Sequence, residues 1–452
     1  MKIIVAGGGK VGVTLVHQLS AEGHDLTLID QRRGVLTDVA NDFDIMSVQG
    51  NCAAMEVLLA AGVKDADLLI AATNADEVNL LCCMTAHGIN SKIHTIARIR
   101  NPEYTDQIFQ MRDSFGLSFT VNPERQAAVE IERLLKYPGF LRRDTFANGR
   151  SEIVELRIDS DSKLCGISLS EMYRTVKTRV LVCTVVRSGE AVSPKGDFVL
   201  QNGDKIYITA PTANLTQLLK NLGVITRKVR RVILCGGDRI SFYLAEMLQK
   251  DNIRVTIIEQ NERRCRELSE ELPNTSITWG DCSSQAQLEE EGIQDADAVI
   301  TLTGIDEMNM IVSLYAASRK VSQVITKIGR PENARLADSL NLGSIICPRE
   351  LSSNTIVRYV RAMQNQTGAA LSVHSIADGQ AEAVEFRVEE STPHCGTPLK
   401  ELKLKPNVLI AGITHGNRSQ VPGGDSVFFP GDSIVIVTSG RGAIRQLADI
   451  FA

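Results

Sequence analysis

Lys2-Ile-Ile-Val-Ala-Gly7-Gly8-Gly9-Lys10-Val11-Gly12 opens the chain and decides how the rest of it is read. A β-branched run, Ile3 to Val5, enters a glycine turn. The turn leads straight into the helical spacing Val11, Leu15, Val16, Leu19. Gly7, Gly9 and Gly12 fit G-x-G-x-x-G. In that motif the first glycine permits the tight turn, the second lets backbone approach a pyrophosphate, and the third lets helix pack closely on strand. The phosphates then sit at the helix N-terminus. Gly7, Gly8, Gly9, Lys10, Val11 and Gly12 are thus a candidate phosphate loop, against the competing reading of a plain βα turn. Asp30 ends the next apolar strand, Leu26 to Ile29, 18 residues beyond Gly12. A carboxylate there can bind a ribose diol and would repel a 2′-phosphate, which favours NAD(H) or ATP over NADP(H).

Working outward, apolar runs at 3–6, 26–29, 45–48, 68–72 and 93–96 alternate with helical patterns up to residue 122. Continuous apolar strands separated by helices predict a doubly wound parallel sheet covered on both faces. An amphipathic helix then runs from Pro123 through Ala127, Ile131, Leu134 and Leu135 to the breaker Tyr137-Pro138-Gly139. Beyond it, Ile153 to Ile158 alternates as a half-exposed strand does. A second strand spans 180–186, and Gly203-Asp204 turns into a third at 205–209 before a helix through Leu215, Leu218 and Leu219. This predicts a small β-rich domain near the lower size limit for independent folding.

The second half repeats the first. Gly7 matches Gly236 and Asp30 matches Glu259, a shift of 229. Gly50-Asn51-Cys52 matches Gly280-Asp281-Cys282, and Thr73 with Asp76-Glu77-Val-Asn79 matches Thr303 with Asp306-Glu307-Met-Asn309, a shift of 230. Arg98 matches Lys327, and Gly203-Asp204 matches Gly431-Asp432. A near-constant shift along a whole half means duplication. Length alone suggests about three domains; the repeat predicts four, at 1–140, 141–226, 227–370 and 371–452. The fold class is α/β: two Rossmann-like doubly wound parallel sheets, each followed by a small domain. The basic run Arg227-Lys228-Val-Arg230-Arg231 marks the seam and reads either as a patch for a phosphate or an acidic partner or as a solvated linker before a strand.

Composition narrows the function. A net charge of −5 gives no electrostatic case for nucleic acid. No apolar run approaches the roughly 18 residues of a membrane span, and no signal peptide is expected, since Met1 leads directly into a strand. The ten cysteines form no C-x-x-C and no zinc spacing, so no metal is expected and most read as small buried hydrophobes.

The candidate binding residues fall at the C-terminal ends of the predicted strands, where an open α/β sheet holds its ligand. The glycine loop would hold phosphates, Asp30 the ribose, and Asn51 or Cys52 would flank the adenine. Thr73 and Asn74 would line the remaining wall, and Arg98 could pair with a phosphate. Each has a plainer alternative. Asn51 is also a common turn residue, and Thr73 or Asn74 an ordinary N-cap before Asp76 and Glu77; Arg98 could be a strand-end or intersubunit ion pair. The second loop, Gly236-Gly237-Asp238-Arg239-Ile240-Ser241, has lost the second and third motif glycines. Glu259, Asp281, Cys282 and Thr303 remain. The second site is therefore expected to bind more weakly, to prefer a less phosphorylated ligand, or to stay empty.

No catalytic set emerges. The small domains are too slight to frame a usual substrate pocket, and His17, His24, His87 and His94 form no base–orienter pair.

The glycine loop, the acid after the second strand, Gly50-Asn51 or Gly280-Asp281, and D-E-x-N at 76–79 and 306–309 together resemble the KTN/RCK ligand-gating domain. The small domain with its Gly-Asp turn resembles the α+β C-terminal partner domain of RCK proteins. The likeness covers essentially the whole chain, and its duplication is similar to the cytosolic subunits of bacterial Trk potassium-uptake systems. The resemblance implies a non-catalytic regulatory subunit that binds NAD(H), or else ATP or ADP. It implies self-association into a ring, peripheral on the inner face of the cell membrane, gating a separate potassium-translocating subunit. The rival from the enzyme class is an NAD-dependent oxidoreductase with tandem Rossmann domains. A redox-sensing repressor lacks both a helix-turn-helix and a basic recognition surface.

Overall fold

The apolar runs of the first half become parallel strands, the central ones at Lys2–Ala6 and Leu68–Ala71 buried on both faces and the edge strand Met46–Gln49 largely exposed. The strands are β1 (Lys2–Ala6), β2 (Asp25–Asp30), β3 (Met46–Gln49), β4 (Leu68–Ala71), β5 (His94–Arg98) and β6 (Phe119–Val121). Between and after them lie α1 (Lys10–Ala21), α2 (Arg33–Asp42), α3 (Met55–Ala60), α4 (Asp76–Ile89), α5 (Pro102–Met111) and α6 (Pro123–Lys136). The sheet order is β3-β2-β1-β4-β5-β6, with parallel pairing throughout. The winding reverses between β1 and β4, which is where such a sheet opens its ligand crevice. Sequence periodicity missed β6: three residues give no pattern.

The structure, a computed structural model, describes residues 1–137, 139–223, 228–340, 342–363, 370–439, 444 and 446–452. Pro138 of the breaker and Arg227 of the basic run lie outside the described residues.

The small domain that follows has β7 (Arg142–Phe146), β8 (Ser151–Arg157), α7 (Met172–Val176), β9 (Leu181–Arg187), β10 (Glu190–Val192), β11 (Lys205–Pro211) and α8 (Thr212–Leu222). Its antiparallel sheet runs β10-β9-β11-β8-β7. The second half supplies β12 (Arg231–Cys235), α9 (Arg239–Lys250), β13 (Arg254–Glu259), α10 (Glu262–Glu271), β14 (Ser276–Trp279), α11 (Gln285–Glu290), β15 (Ala298–Thr301), α12 (Asp306–Ser318), β16 (Gln323–Lys327), α13 (Pro331–Ser339), β17 (Ser344–Ile346) and α14 (Pro348–Met363). It closes with β18 (Ala370–Ile376), β19 (Ala381–Arg387), β20 (Val408–His415), β21 (Arg418–Gln420) and β22 (Ser433–Ser439). The orders β14-β13-β12-β15-β16-β17 and β18-β19-β22-β20-β21 reproduce the first half strand for strand. Two parallel Rossmann-like sheets, each followed by an antiparallel-sheet domain, are thus written twice along the chain.

Two corrections concern the small domains. The alternation in Ile153 to Ile158 does not mark a half-exposed strand: every residue from Ser151 to Leu156 is buried. The acids survive burial by pairing, Glu152 with Arg143 at 2.5 Å and Glu155 with Lys205 at 3.9 Å. Nor do the two small domains stand apart: besides the cluster that each builds largely for itself, they share another. Phe146, Ile153 and Tyr207 of the first pack in one apolar cluster with Ile376, Ala383 and Val437 of the second.

The chain gathers into two compact units. One is Met1–Val129 with Cys347–Tyr359, and the other is Glu130–Ile346 with Val360–Ala452. In the first, Gln18 donates to Asn354 at 3.1 Å and Phe119 stacks on Tyr359. In the second, buried Gln323 donates from its side chain to the Leu134 carbonyl at 2.8 Å.

Candidate functional site

At the end of β1 the chain must reverse beside β4, and only glycine allows it. Gly7 has φ +105°, and a Cβ there would stand 3.0 Å from the Ala72 carbonyl and the Thr73 nitrogen. At Gly12 a Cβ would overlap the Gly7 carbonyl oxygen, so α1 can lie this close to β1 only without a side chain. Gly9 differs: a Cβ there would meet nothing within 4 Å, because the space above the loop is open. Gly9 is also the N-cap of α1, with no side-chain cap and no acid in the first turn. The free N–H groups and the positive dipole end therefore face an open cradle, the arrangement that holds an anion. Lys10 is exposed at its mouth and Val11 is buried beneath it.

Asp30 closes the other side of the loop. Its Oδ2 accepts from Gly8 N and its Oδ1 from Arg32 N, both at 2.8 Å, and Arg32 Nε lies 3.1 Å from Oδ1. Burial would raise its pKa, but the Arg32 side chain and the two backbone donors outweigh that and hold it below the ordinary carboxylate range. The carboxylate is thus ionised and fixed in orientation, ready to accept from a diol. Arg32 was not singled out by the sequence reading. The signal was there, a cation two residues after the acid.

The plainer readings of Asn51 and Arg98 hold in this structure. Asn51 Oδ1 accepts from Ala53 N at 3.1 Å, a turn of the Asx type, and its side chain is exposed. Arg98 Nη2 lies 3.6 Å from Glu124 Oε1. Both still stand at the C-terminal edge of the sheet, where Thr73 and Asn74 follow the neighbouring strand β4.

The N-cap reading of Thr73 and Asn74 does not hold. The N-cap of α4 is Ala75, with no side-chain cap. Thr73 is instead locked by Asn79, whose Oδ1 accepts from Thr73 N and Oγ1 at 2.8 and 2.7 Å while its Nδ2 donates to the Arg98 carbonyl at 2.8 Å. Asp76 accepts from the backbone of Arg100 and Asn101 at 2.8 and 2.7 Å. In the D-E-x-N stretch the Asp and the Asn are therefore a clamp that fixes the loops after β4 and β5 against each other. It recurs in the second half: Asn309 accepts from Thr303 N at 2.9 Å and donates to the Lys327 carbonyl at 2.9 Å, and Asp306 accepts from Gly329 and Arg330.

The second cleft keeps the frame and changes the contents. Gly236 has φ +110° and is hemmed in by Leu302 and Thr303 as Gly7 is by Ala72 and Thr73. Glu259 accepts from Gly237 N at 2.6 Å and from Asn261 N at 2.8 Å, and Asp281 accepts from Ser283 N at 2.9 Å. At the position of Gly9, Asp238 turns its carboxylate onto the start of α9. Its Oδ1 accepts from Ile240 N at 2.9 Å and Ser241 N at 3.1 Å, and its Oδ2 is 2.6 Å from Lys327 Nζ. Ser241, in the place of Gly12, converts the close approach into a hydrogen bond to the Gly236 carbonyl at 2.5 Å.

A thiol flanks each cleft. Burial is not the whole story for Cys52: a hydrogen bond from the buried Cys82 thiol lowers its pKa, and Cys235 acts in the same way on Cys282. Burial pushes the neighbouring Cys83 up to about 12. All ten cysteines are free, eight of them buried. Among the described residues, no three His, Cys, Asp or Glu side chains gather as a metal set. Among them, too, no helix is long and apolar enough to cross a membrane.

Comparison with known proteins agrees with the duplication. The TrkA-N domain model matches residues 3–123 and 232–348, and the TrkA-C domain model matches 153–223 and 383–452. A Trk system potassium uptake protein TrkA homolog of Archaeoglobus fulgidus is 31% identical over 452 residues, covering the whole of both chains. The Trk system potassium uptake protein TrkA of Halomonas elongata is 30% identical over 458 aligned residues, covering 100% of this chain and 98% of its own. Among solved structures, the GsuK RCK domain matches with a TM-score of 0.63 at 16% identity, over 97% of this chain and 92% of that one. The GsuK channel bound to NAD matches with a TM-score of 0.62 at 16% identity, over 97% and 77%. At that identity the likeness is one of fold.

Proposed function

The chain belongs to the TrkA family, whose two domains it carries twice, and on that premise we propose that it is a non-catalytic regulatory subunit of a potassium-uptake system. It binds NAD(H), or ATP or ADP, in the first cleft. It self-associates into a ring and docks on the inner face of the cell membrane against a separate potassium-translocating protein, whose pore it gates. The observation that carries this reading is the first cleft itself. An uncapped helix start faces open space across from an ionised Asp30 that backbone donors hold in place. Diphosphate and ribose are the two groups such a pair selects. NAD bound to one GsuK structure and ADP to another are consistent with adenine ligands on this fold.

Gating needs the two ring conformations to differ in nucleotide affinity. A tenfold difference supplies only about 1.4 kcal/mol per site, so several coupled sites act together in a ring. Support for self-association comes from α4, where Leu81 and Met84 are 48% and 46% exposed, and from α12, where Ile311 and Leu314 repeat that face at 60% and 42%. The test joins calorimetry with NADH, NAD⁺, ATP and ADP to co-purification with a membrane potassium transporter. Binding without turnover of a panel of carbonyl substrates is expected. Steady turnover at enzymatic rates would hand the chain to the oxidoreductase reading.

A further inference from the structure

The two clefts differ at one point that decides what each can hold. Above Gly9 the cradle is open, and the N–H groups at the start of α1 have no side-chain acceptor. In the second cleft Asp238 stands in that position. Its Oδ1 takes the N–H groups of Ile240 and Ser241, and its Oδ2 meets Lys327 Nζ at 2.6 Å. Lys327 is the counterpart of Arg98 and also donates to the Leu302 carbonyl at 2.8 Å. Backbone donors, helix dipole and cation are the three things a phosphate would use here, and one side chain takes all of them.

We propose that Asp238 is an internal anion that fills the diphosphate subsite of the second cleft, so that this cleft refuses NAD(H), ADP and ATP and only the first cleft of each chain responds to them. An incoming phosphate would have to evict the carboxylate from its donors and break its ion pair, or else sit beside a second negative charge. Neither has a compensating gain, since the donors a phosphate would take, Ile240 N, Ser241 N and Lys327 Nζ, are ones that Asp238 already satisfies. The sugar side of the cleft is intact, with Glu259 held by Gly237 N and Asn261 N as Asp30 is held by Gly8 N and Arg32 N. The specificity change is therefore confined to the phosphate end. Ser241 belongs to the same change: its hydroxyl bridges to Gly236 O where Gly12 has no side chain, and it lies 3.4 Å from Asp238 Oδ1.

The proposal rests on the reading of the first cleft as a nucleotide site, and the two can be tested apart. Calorimetry on the full chain with NADH and with ADP is expected to give one site per chain in the native sequence, weakened at least about tenfold by Asp30→Ala and changed less than about twofold by Glu259→Ala. In an Asp30→Ala background, Asp238→Gly with Ser241→Gly restores the open cradle and leaves Lys327 free. This chain is expected to regain a site at least about tenfold tighter than the Asp30→Ala parent, and to lose it again on Glu259→Ala. Asp238→Asn keeps an N-cap side chain without the charge and guards against a misfolded glycine variant; it is expected to gain binding in the same direction. Two sites of similar affinity in the native chain would overturn the proposal, as would a folded, Asp238-free chain that gains nothing. If the native chain binds no nucleotide at all, the function proposed above falls, while the gain or its absence at Asp238 still decides this one.

Discussion

Asp144 and His374 stand 230 residues apart at the same place in the two halves, and Asp144 Oδ1 lies 2.8 Å from His374 Nδ1. Asp144 pairs with Ile153 in its sheet, and His374 with Ala383 in its own, again 230 residues on. The duplicated small domains thus meet through equivalent strands, with an acid on one side and an imidazole on the other. Burial would raise the Asp144 pKa, yet Arg142 and His374 bring it down to about 2. A depressed carboxylate stabilises the fold above its unfolded pKa of 3.8, and that contribution is lost as pH falls towards 2. A shift of this size corresponds to about 2 kcal/mol. Asp144→Asn is expected to lower stability by about that amount at pH 7 and by much less near pH 2 to 3. Urea unfolding at the two pH values checks it; an equal penalty at both would mean the charge is not what matters.

Glu130 works in the opposite direction. Burial pushes its pKa to about 7, although Arg133 lies 3.7 Å away. The native state therefore prefers the protonated acid, and stability falls as pH rises from 4.5 to about 7. Glu130→Gln keeps the neutral form. It is expected to match the native chain at pH 4 and to be more stable at pH 8. Thermal melts at both pH values decide, and a variant less stable at pH 8 would show that the ionised form is the one the fold uses.

Asp30→Ala is expected to weaken NADH and ADP binding at least about tenfold, while Glu259→Ala changes it less than about twofold. The asymmetry follows from the cradles, one open above Gly9 and one filled by Asp238. Titration calorimetry on the two variants gives the answer. Equal losses would place nucleotide in both clefts.

How far the sequence carried can be judged at particular residues. Gly7, Gly12 and Asp30 were legible because steric exclusion and charge act locally, and the repeat doubled the evidence. Thr73, Asn79 and Asp76 were visible as a motif, but their work was not: a clamp between two loops depends on β4 and β5 lying side by side. Asp238 was legible as a lost glycine. Its partner Lys327 is 89 residues away, and only the fold brings the two together. The burial of Ser151 to Leu156 was hidden for the same reason, since a period of two shows which residues share a face but not what covers the other face. The place of Cys347–Tyr359 with the first unit has no sequence signal either, because a helix pattern does not say which sheet it packs on.

The thiols offer a probe of occupancy that does not depend on mutation. Cys52 follows the turn residue Asn51, where the proposed nucleotide would place its adenine, and its pKa is lowered by the Cys82 thiol. Cys83, on the next position of α4 and pushed up to about 12, serves as an internal control. Iodoacetamide labelling read by mass spectrometry is expected to modify Cys52 well before Cys83, and NADH to slow it. Cys282, in the corresponding place of the second cleft and lowered by Cys235, is expected to label at a rate that NADH leaves unchanged. Protection of Cys282 would be direct evidence of nucleotide in the second cleft.

The exposed face of α4 is where the proposed self-association can be tested by substitutions away from the glycine loop and Asp30. Leu81, Met84 and Met111 leave large apolar surfaces in water beside a groove that Leu80, Ile108 and Phe115 help to line. Single exposed apolar residues are ordinary, but an apolar face that recurs at Ile311 and Leu314 of the second half is a candidate contact surface. A second copy of the chain fits, because a duplicated face can pair with its own repeat in a closed ring. Leu81→Glu with Met84→Glu puts two charges where apolar surface would be buried. The variant is expected to keep its fold by circular dichroism and its NADH affinity within about twofold, while its mass by light scattering drops below that of the native assembly. If the mass is unchanged, this face is not the assembly surface. If NADH binding is lost along with the mass, the first cleft is completed by its neighbour, and the ring is part of the site.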